Sequence, residues 1–231
     1  MYSEEEEIKK RYERRKNISS DRYSILSPAT IMIEQEKERA MIRWIKENNI
    51  EPLENKKLLE VGCGNGTNIQ KFIKFGFQPS NIFANDLLDE RLRSAKKLLP
   101  AQVNFYGGSA MNLTFNENCF DIVFQSMVFS SILDLNYKSH LAEKMWHWVK
   151  PGGGILWYDF IFDNPQNPDV KSVKLEELKK LFKGAKIVYK KITLAPPISR
   201  IVTRIHPNLY YLFNSLYFLR THLLVWIKKN E

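Results

Sequence analysis

The sequence is poor in cysteine and has no apolar run at its start. Its 231 residues include only Cys63 and Cys119, too few for a disulfide framework and not arranged as a zinc site. The first sixteen residues, MYSEEEEIKKRYERRK, lack the apolar stretch that a secretory signal needs. These features predict a protein of a reducing, cytoplasmic compartment with no structural metal.

The sequence also lacks internal repeats, low-complexity stretches and Gly/Ser linkers. With 44% hydrophobic and 26% charged residues, its composition excludes a disordered or collagen-like chain. We therefore predict one domain over residues 1–231. Within it, residues 1–50 form an N-terminal arm and helix, 57–160 a ligand-binding core, and 161–231 the second half of a sheet with a helical insertion.

Positive charge is concentrated at one end of the chain. Residues 171–231 contain 13 basic and 3 acidic residues, whereas residues 1–170 contain 22 basic and 23 acidic residues. A basic third on a neutral body can face an anionic substrate, a membrane surface or nucleic acid, or it can be an ordinary solvated surface.

Short apolar segments alternate with helical patterns through the middle of the sequence. An amphipathic helix at Ile31–Asn49 comes first. Predicted strands are Lys57–Val61, Asn81–Asp86, Ala101–Tyr106, Phe120–Met127 and Ile155–Phe160, and the helices between them are Asn65–Phe75, Asp89–Leu99 and Ser139–Val149. This alternation predicts a doubly wound, Rossmann-like α/β sheet that binds its ligand beyond the carboxyl ends of its strands.

The aromatic tail has no run long enough to span a bilayer. Polar residues interrupt the segment from Tyr210 to Ile227, which predicts a short amphipathic helix and a last strand at His222–Lys228. Its basic and aromatic flanks leave membrane-surface contact as an alternative.

A glycine-rich turn follows the first predicted strand. Gly62, Gly64 and Gly66 can take positive φ and let a ligand approach the backbone, but Thr67 breaks the GxGxxG fingerprint and the P-loop lysine is absent. Asp86 ends the next strand, where an acid can accept both hydroxyls of a ribose. Leu87 can pack on an adenine ring. The edge of that ring would lie after the third strand, where Ser109, Ala110 and Met111 stand.

From Lys57 to Phe160 the chain resembles the class I S-adenosylmethionine-dependent methyltransferases, especially those acting on small molecules. The resemblance implies S-adenosylmethionine as cofactor and a seven-stranded sheet, mostly parallel with an antiparallel last strand. It implies that the glycine turn and Gln125 lie at the methionine end of the cofactor, Asp86 at the ribose, and residues 109–111 at the adenine. The turn comprises Glu60, Gly62, Cys63, Gly64 and Gly66, of which Cys63 is expected to be a small buried residue. Ser109 departs from the family, in which Asp is frequent at this position.

The acceptor atom is predicted to be oxygen. Gln125-Ser126-Met127-Val128 contains no Asn/Asp-Pro-Pro-Tyr/Phe box for a planar amine, and no Pro-Cys pair for cytosine chemistry is present. Tyr158 and Asp159 end the fifth strand in the ligand crevice, where Asp159 could take or orient a hydroxyl proton and Tyr158 could line the pocket. Asp159 could instead be a strand-end turn residue.

Arg22, Tyr23 and Arg200 are candidate substrate-binding residues, since they lie in the N-terminal arm and after the sixth strand. The resulting prediction is an enzyme that O-methylates a small molecule, such as a sugar or secondary metabolite, and the basic C-terminal third is compatible with an anionic one. The alternatives are a methyltransferase of RNA or another macromolecule, against which the lack of an RNA-binding motif argues, and a non-catalytic binding protein of the same fold.

Overall fold

Seven strands form a single sheet in the computed structural model, which describes residues 3–15 and 24–230. The strands are β1 (Leu58–Val61), β2 (Ile82–Asp86), β3 (Asn104–Gly107), β4 (Phe120–Ser126), β5 (Val149–Phe160), β6 (Lys186–Leu194) and β7 (Arg220–Lys228). Their order is β3-β2-β1-β4-β5-β7-β6, and β7 runs antiparallel to both of its neighbours. The predicted fold class, including the antiparallel last strand, is confirmed.

Eight α-helices cover the sheet within the described residues. They are α1 (Glu4–Arg15), α2 (Pro28–Glu47), α3 (Thr67–Phe75), α4 (Asp89–Leu98), α5 (Leu135–Trp148), α6 (Leu175–Leu181), α7 (Pro196–Ile205) and α8 (Leu209–Ser215). Helices α2, α3 and α4 pack on one face, and α1, α5 and α6 on the other. Two hydrophobic cores therefore sandwich the sheet, as buried parallel strands require.

A third apolar cluster lies where α7 and α8, the predicted helical insertion, meet the start of α2. Met32, Leu194, Val202 and Tyr210 are its buried members. Glu36 of α2 connects the same elements, because its carboxylate accepts hydrogen bonds from the Thr193 N–H, the Tyr210 hydroxyl and the Asn214 amide. The insertion is thus fixed to the domain by apolar contacts and by a shared carboxylate.

The largest difference from the predicted elements is at the start of β5. The sequence predicts the strand only from Ile155, but residues 150–154 also belong to it, and the strand begins at Val149. Glycine permits this, because a Cβ on Gly153 would stand 2.5 Å from the Asp121 carbonyl oxygen, and one on Gly154 would stand 2.6 Å from that of Ile227. Gly153 and Gly154 therefore allow neighbouring strands to approach closely. Glycine in this segment thus serves strand packing and does not mark a turn.

Helix α1 begins with a capping box that was not predicted. The Ser3 N–H donates to Glu6 Oε2 over 3.1 Å, and the Glu6 N–H donates to Ser3 Oγ over 3.3 Å. Four glutamates in the first turn and Arg14 and Arg15 in the last also complement the helix dipole. The N-terminal arm is therefore helical over residues 4–15.

Candidate cofactor site

The turn between β1 and α3 is closely packed against its surroundings. Gly62 has φ of 70° and Gly66 has φ of 84°, both in the left-handed region. A Cβ at Gly62 would stand 2.4 Å from Val128 Cγ2, and one at Gly66 would stand 2.6 Å from Leu99 Cδ1. Glycine is thus required for backbone conformation and for space at both positions.

Asp86 connects the end of β2 to this turn. Its Oδ2 accepts a hydrogen bond of 2.7 Å from the Gly64 N–H, and its Oδ1 accepts one of 2.8 Å from the Leu88 N–H. Burial raises the pKa of the Asp86 carboxyl, while the two backbone donors oppose that shift. An ionised carboxylate has about four acceptor sites, so about two remain for the hydroxyls of a ligand.

A cavity of about 160 Å³ lies at the carboxyl ends of β1, β2 and β4. Five predicted cofactor-binding residues line it: Gly62, Asp86, Leu87, Ser109 and Ala110. The other six are not part of the lining: Glu60, Cys63, Gly64, Gly66, Met111 and Gln125. The structure therefore divides the predicted set into residues that reach the cavity and residues that do not.

Glu60 and Asn68 form a buried pair next to the glycine turn. Asn68 Nδ2 donates to Glu60 Oε1 over 2.8 Å, whereas Glu60 Oε2 and Asn68 Oδ1 have no hydrogen-bond partner among the described residues. Burial raises the pKa of Glu60 to about 8. Two buried acceptors next to the turn therefore lack donors, which a protonated Glu60 or a cationic ligand group could supply.

Gln125 and Cys63 also support the lining. Gln125 Oε1 accepts from the Val128 N–H over 3.0 Å, which fixes the loop after β4. Cys63 is buried, its pKa is raised by that burial, and its N–H donates to the Asn85 carbonyl over 2.8 Å. A buried thiol with a raised pKa is not an activated nucleophile.

Ser109 belongs to a chain of hydroxyl groups that ends on a carboxylate. Its Oγ accepts from the Met111 N–H over 3.1 Å and lies 3.0 Å from the Tyr137 hydroxyl. Tyr137 in turn donates to Glu5 Oε1 of α1 over 3.2 Å. Ser109 stands where Asp is frequent in the family. The carboxylate of Glu5 is nevertheless linked to this part of the cavity by hydrogen bonds through Tyr137.

Helix α1 crosses the carboxyl edge of the sheet next to the cavity. The buried Arg11 donates from Nη1 to the Ser131 carbonyl over 3.0 Å and from Nη2 to Glu4 Oε1 over 2.9 Å. Glu4 Oε1 also accepts from the Leu133 N–H over 2.7 Å. These bonds attach α1 to the loop that follows β4.

Ile8 and Tyr12 of α1 line the cavity, and Arg91 of α4 lies beside them. The Arg91 guanidinium is 4.5 Å from the Tyr12 ring centroid, within cation–π range. None of these three residues was predicted to belong to the site. Ile8 and Tyr12 are the only apolar residues of Glu4–Arg15 and are four positions apart, a spacing that indicates one buried helix face.

Tyr158 and Asp159 do not come together at the cavity. Consecutive residues of a strand point to opposite faces of the sheet. Tyr158 lies on the α2 face, with its hydroxyl 2.8 Å from Thr193 Oγ1 and its ring stacked on His222. Asp159 is 1% exposed and accepts from the N–H groups of Ser130 and Phe160, and burial raises its pKa to about 7. The predicted polar pair is therefore split, and neither side chain lines the cavity.

The predicted substrate-binding residues are also not brought together. Arg200 lies on α7 and does not line the cavity. Arg22 and Tyr23 lie outside the described residues.

Comparison with known proteins agrees with this geometry. Residues 58–153 match the family model of a methyltransferase domain. No curated protein matches the sequence.

Solved structures share the fold at low identity. An S-adenosylmethionine-dependent methyltransferase from Mesorhizobium loti has 13% identity and a TM-score of 0.59, over 85% of this chain and 98% of that one. The methyltransferase-like chain bound to the activator Trm112 in a Haloferax volcanii complex has 17% identity and a TM-score of 0.57, over 91% and 97%. The 4+2 cyclase SpnF has 14% identity and a TM-score of 0.60, over 85% and 83%.

Residues 58–153 thus match a methyltransferase domain, and the chain shares its fold with S-adenosylmethionine-dependent methyltransferases. The domain match supports methyltransferase activity with S-adenosylmethionine as the cofactor. The residues present fit that group: the glycines leave room for it, Asp86 retains free acceptor sites, and the Glu60–Asn68 pair lacks donors.

Proposed function

We propose that the protein transfers the methyl group of S-adenosylmethionine to a hydroxyl oxygen of a small molecule. The observation that carries the proposal is the position of α1. This helix contributes Ile8 and Tyr12 to the cavity lining and is tied across its edge by Arg11. Such a cover favours an enclosed small acceptor over a macromolecule that needs an open cleft.

In this proposal Asp86 holds the ribose, and Ser109 with Ala110 borders the adenine. The cofactor supplies an electrophilic methyl group, so the protein's main task is to align the acceptor oxygen with it. The residues at the end of β4 and in the loop after it that line the cavity are Ser126, Met127, Val128, Ser131 and Ile132. This largely apolar wall excludes water from the acceptor.

No histidine lines the cavity within the described residues, and its only carboxylate is Asp86. If Asp86 serves the ribose, a general base for the acceptor is missing from the lining. We therefore propose an acceptor whose hydroxyl loses its proton more readily than that of a sugar, such as a phenol or an enol, because a nearby positive charge lowers the pKa of such a group. The positive charge of Arg91 beside the cavity favours such an anion.

Asp159 takes a positioning role in this proposal. Its carboxylate accepts from the Ser130 N–H over 3.1 Å, and the Ser131 hydroxyl donates to the Val128 carbonyl over 2.6 Å. Asp159 thus orders the loop that forms the acceptor wall. The variant Asp159→Asn should raise KM for the acceptor more than it lowers kcat, whereas loss of a general base lowers kcat by about 10²–10⁴-fold.

The direct test is a screen of acceptor pools with methyl-labelled S-adenosylmethionine, followed by mass spectrometry of the labelled products. The proposal predicts label on the oxygen of a small molecule. Label on nitrogen or carbon would refute the oxygen assignment, and label only in RNA or protein would refute the small-molecule assignment.

A methyltransferase of RNA is the second candidate, because residues 171–231 carry 13 basic residues against 3 acidic ones. Binding dominated by phosphates weakens steeply as salt is added. Tight, salt-sensitive gel shifts together with methyl transfer to RNA would favour this candidate over a small acceptor.

A further inference from the structure

Helices α7 and α8 and the turn after them present an apolar surface to solvent. We name this the insertion surface and define it by its exposed side chains: Ile201, Ile205, Tyr211, Leu212, Leu216, Tyr217 and Phe218. Ile205 is 75% exposed and Phe218 is 70% exposed. Large apolar groups gathered in one segment mark an interaction site more often than isolated ones do.

Helix α7 shows that the exposure is built into the fold. Ser199, Val202 and Thr203 are buried against the domain, whereas Ile201 and Ile205, four positions apart, point to the opposite side. The helix therefore has a second apolar stripe, which packs on nothing in the described chain.

Basic residues flank this surface in the neighbouring elements. Lys191 of β6, Arg204 of α7 and Arg220 of β7 lie close to it in the chain, whereas the nearby carboxylate of Glu36 is engaged by Tyr210 and Asn214. Cations also lie over the exposed rings: Lys191 is 5.0 Å from the centroid of Phe162 and 5.2 Å from that of Tyr217. Arg39 lies 5.4 Å from the centroid of Tyr211. Aromatic and aliphatic groups beside Lys and Arg are the composition of a helix that lies in the interface of an anionic bilayer.

We propose that the insertion surface docks the protein on membranes that contain anionic lipids. The apolar side chains enter the headgroup boundary, and the basic residues contact the lipid phosphates. No helix among residues 3–15 and 24–230 is long and apolar enough to cross a bilayer, so docking is peripheral. A second copy of the chain fits this surface less well, because a twofold interface would set two surfaces of the same positive sign against each other.

The topology gives the docking a consequence for the cavity. Strand β6 is parallel to β5 because both are antiparallel to β7, so Leu194, at the end of β6, lies at the carboxyl edge of the sheet. The cavity lies at the same edge. The proposed membrane contact and the cofactor site therefore lie at the same edge of the sheet.

The test is sedimentation of the full chain with vesicles of phosphatidylcholine, alone and with phosphatidylglycerol added. We expect binding only to the anionic vesicles, with an affinity that falls as salt is added. The triple variant Ile201→Ser, Ile205→Ser, Phe218→Ser should abolish sedimentation, and Lys191→Glu with Arg204→Glu should weaken it at least about 25-fold, since each basic residue contributes about fivefold.

Helix α4 offers matched controls. Leu98 is 56% exposed, and Arg93 and Lys97 are exposed on the same helix. The variants Leu98→Ser and Arg93→Glu with Lys97→Glu should bind vesicles nearly as the parent does, and circular dichroism checks that all variants fold.

Three results would overturn the proposal: no binding to anionic vesicles, equal losses in the α4 controls, or a triple variant that sediments normally. Loss of a dimer or of RNA binding in the triple variant, without any vesicle binding by the parent, would assign the surface to that partner instead. The assay needs no methyl transfer, so its outcome is separate from that of the proposed reaction.

Discussion

Among single residues, Asp86 has the most direct role in the proposed cofactor contacts. The variant Asp86→Ala should weaken binding of S-adenosylhomocysteine about ten- to a hundred-fold, because a hydrogen bond to a charged group contributes roughly 1.5–3 kcal/mol. Isothermal titration calorimetry measures the change. Asp89→Ala, which removes an exposed carboxylate at the start of α4, should leave the dissociation constant nearly unchanged. An equal loss of affinity in both variants would mean that binding depends on local negative charge and not on hydrogen bonds to Asp86.

Glu60 should make stability depend on pH. With a pKa near 8 in the folded protein, it stays protonated between about pH 5 and pH 8, whereas the unfolded chain, with an ordinary pKa of about 4.3, has lost the proton. The folded state therefore binds more protons in this window, and its free energy of unfolding falls as pH rises, by about 1.4 kcal/mol per pH unit for one proton.

Urea denaturation at several pH values tests this expectation. Glu60→Gln should remove this part of the slope, since Gln keeps the acceptor for Asn68 and adds a donor. Glu54→Gln, at an exposed position, should not. Asp159, whose pKa of about 7 is also raised by burial, contributes a slope of the same sign from about pH 4 to pH 7. A Glu60→Gln slope equal to that of the parent would contradict the assignment.

Asp86 and the glycines were predicted from their residue types at strand ends, and the structure brings Asp86 and Gly62 to one cavity. The sequence could not tell which of the predicted residues reach the cavity. Glu60 is buried and is not part of the lining, and Tyr158 and Asp159, although adjacent, face opposite sides of the sheet. Face assignment follows from strand register, which one sequence does not determine.

At the scale of elements, the turn between β1 and α3 depends on glycine for two separable reasons. Gly62 and Gly184 both have positive φ, of 70° and 79°, but only Gly62 would place a Cβ against another side chain, Val128. Alanine in the left-handed region costs roughly 1–2 kcal/mol. Gly184→Ala should therefore lower stability by about that amount and spare cofactor binding.

Gly62→Ala should cost more than Gly184→Ala in thermal denaturation and should also reduce S-adenosylhomocysteine affinity, because the loop at Val128 must shift. Equal losses of stability with normal affinity in both variants would show that the contact with Val128 has no role in the site.

Helix α1 is expected to become more ordered when cofactor binds, since Ile8 and Tyr12 line the cavity. Hydrogen exchange of residues 4–15 should slow on addition of S-adenosylhomocysteine. Arg11→Ala removes the bonds to Ser131 and Glu4 and should speed exchange of the helix and weaken cofactor binding. Lys9→Ala, at an exposed position of the same helix, is the control. Exchange that is insensitive to ligand would contradict a covering role for α1.

The element order was predictable because strands and helices alternate in the sequence, and the antiparallel β7 followed from the family resemblance. The contacts that α1 makes with the loop after β4 were not predictable. Arg11 and Glu4 lie among many charged residues, and such residues are usually exposed to solvent. Only the tertiary partners, at Ser131 and Leu133, distinguish them from surface residues.

At the scale of the whole molecule, we expect residues 1–231 to unfold as one unit. Trp44 of α2 and Trp226 of β7 pack 5.0 Å apart in one core, so the two ends of the chain share apolar contacts. Differential scanning calorimetry should show one transition with equal calorimetric and van't Hoff enthalpies. Two resolved transitions would divide the chain into separate domains.

Calorimetric titration of S-adenosylhomocysteine into the full chain tests the central claim, that the cavity at the carboxyl edge is a methyltransferase cofactor site, most directly. The account predicts saturable binding to one site per chain, lost or weakened at least about tenfold in Asp86→Ala and retained in Asp89→Ala. A folded protein that gives no saturable binding, or binds equally well without the Asp86 carboxylate, would contradict it.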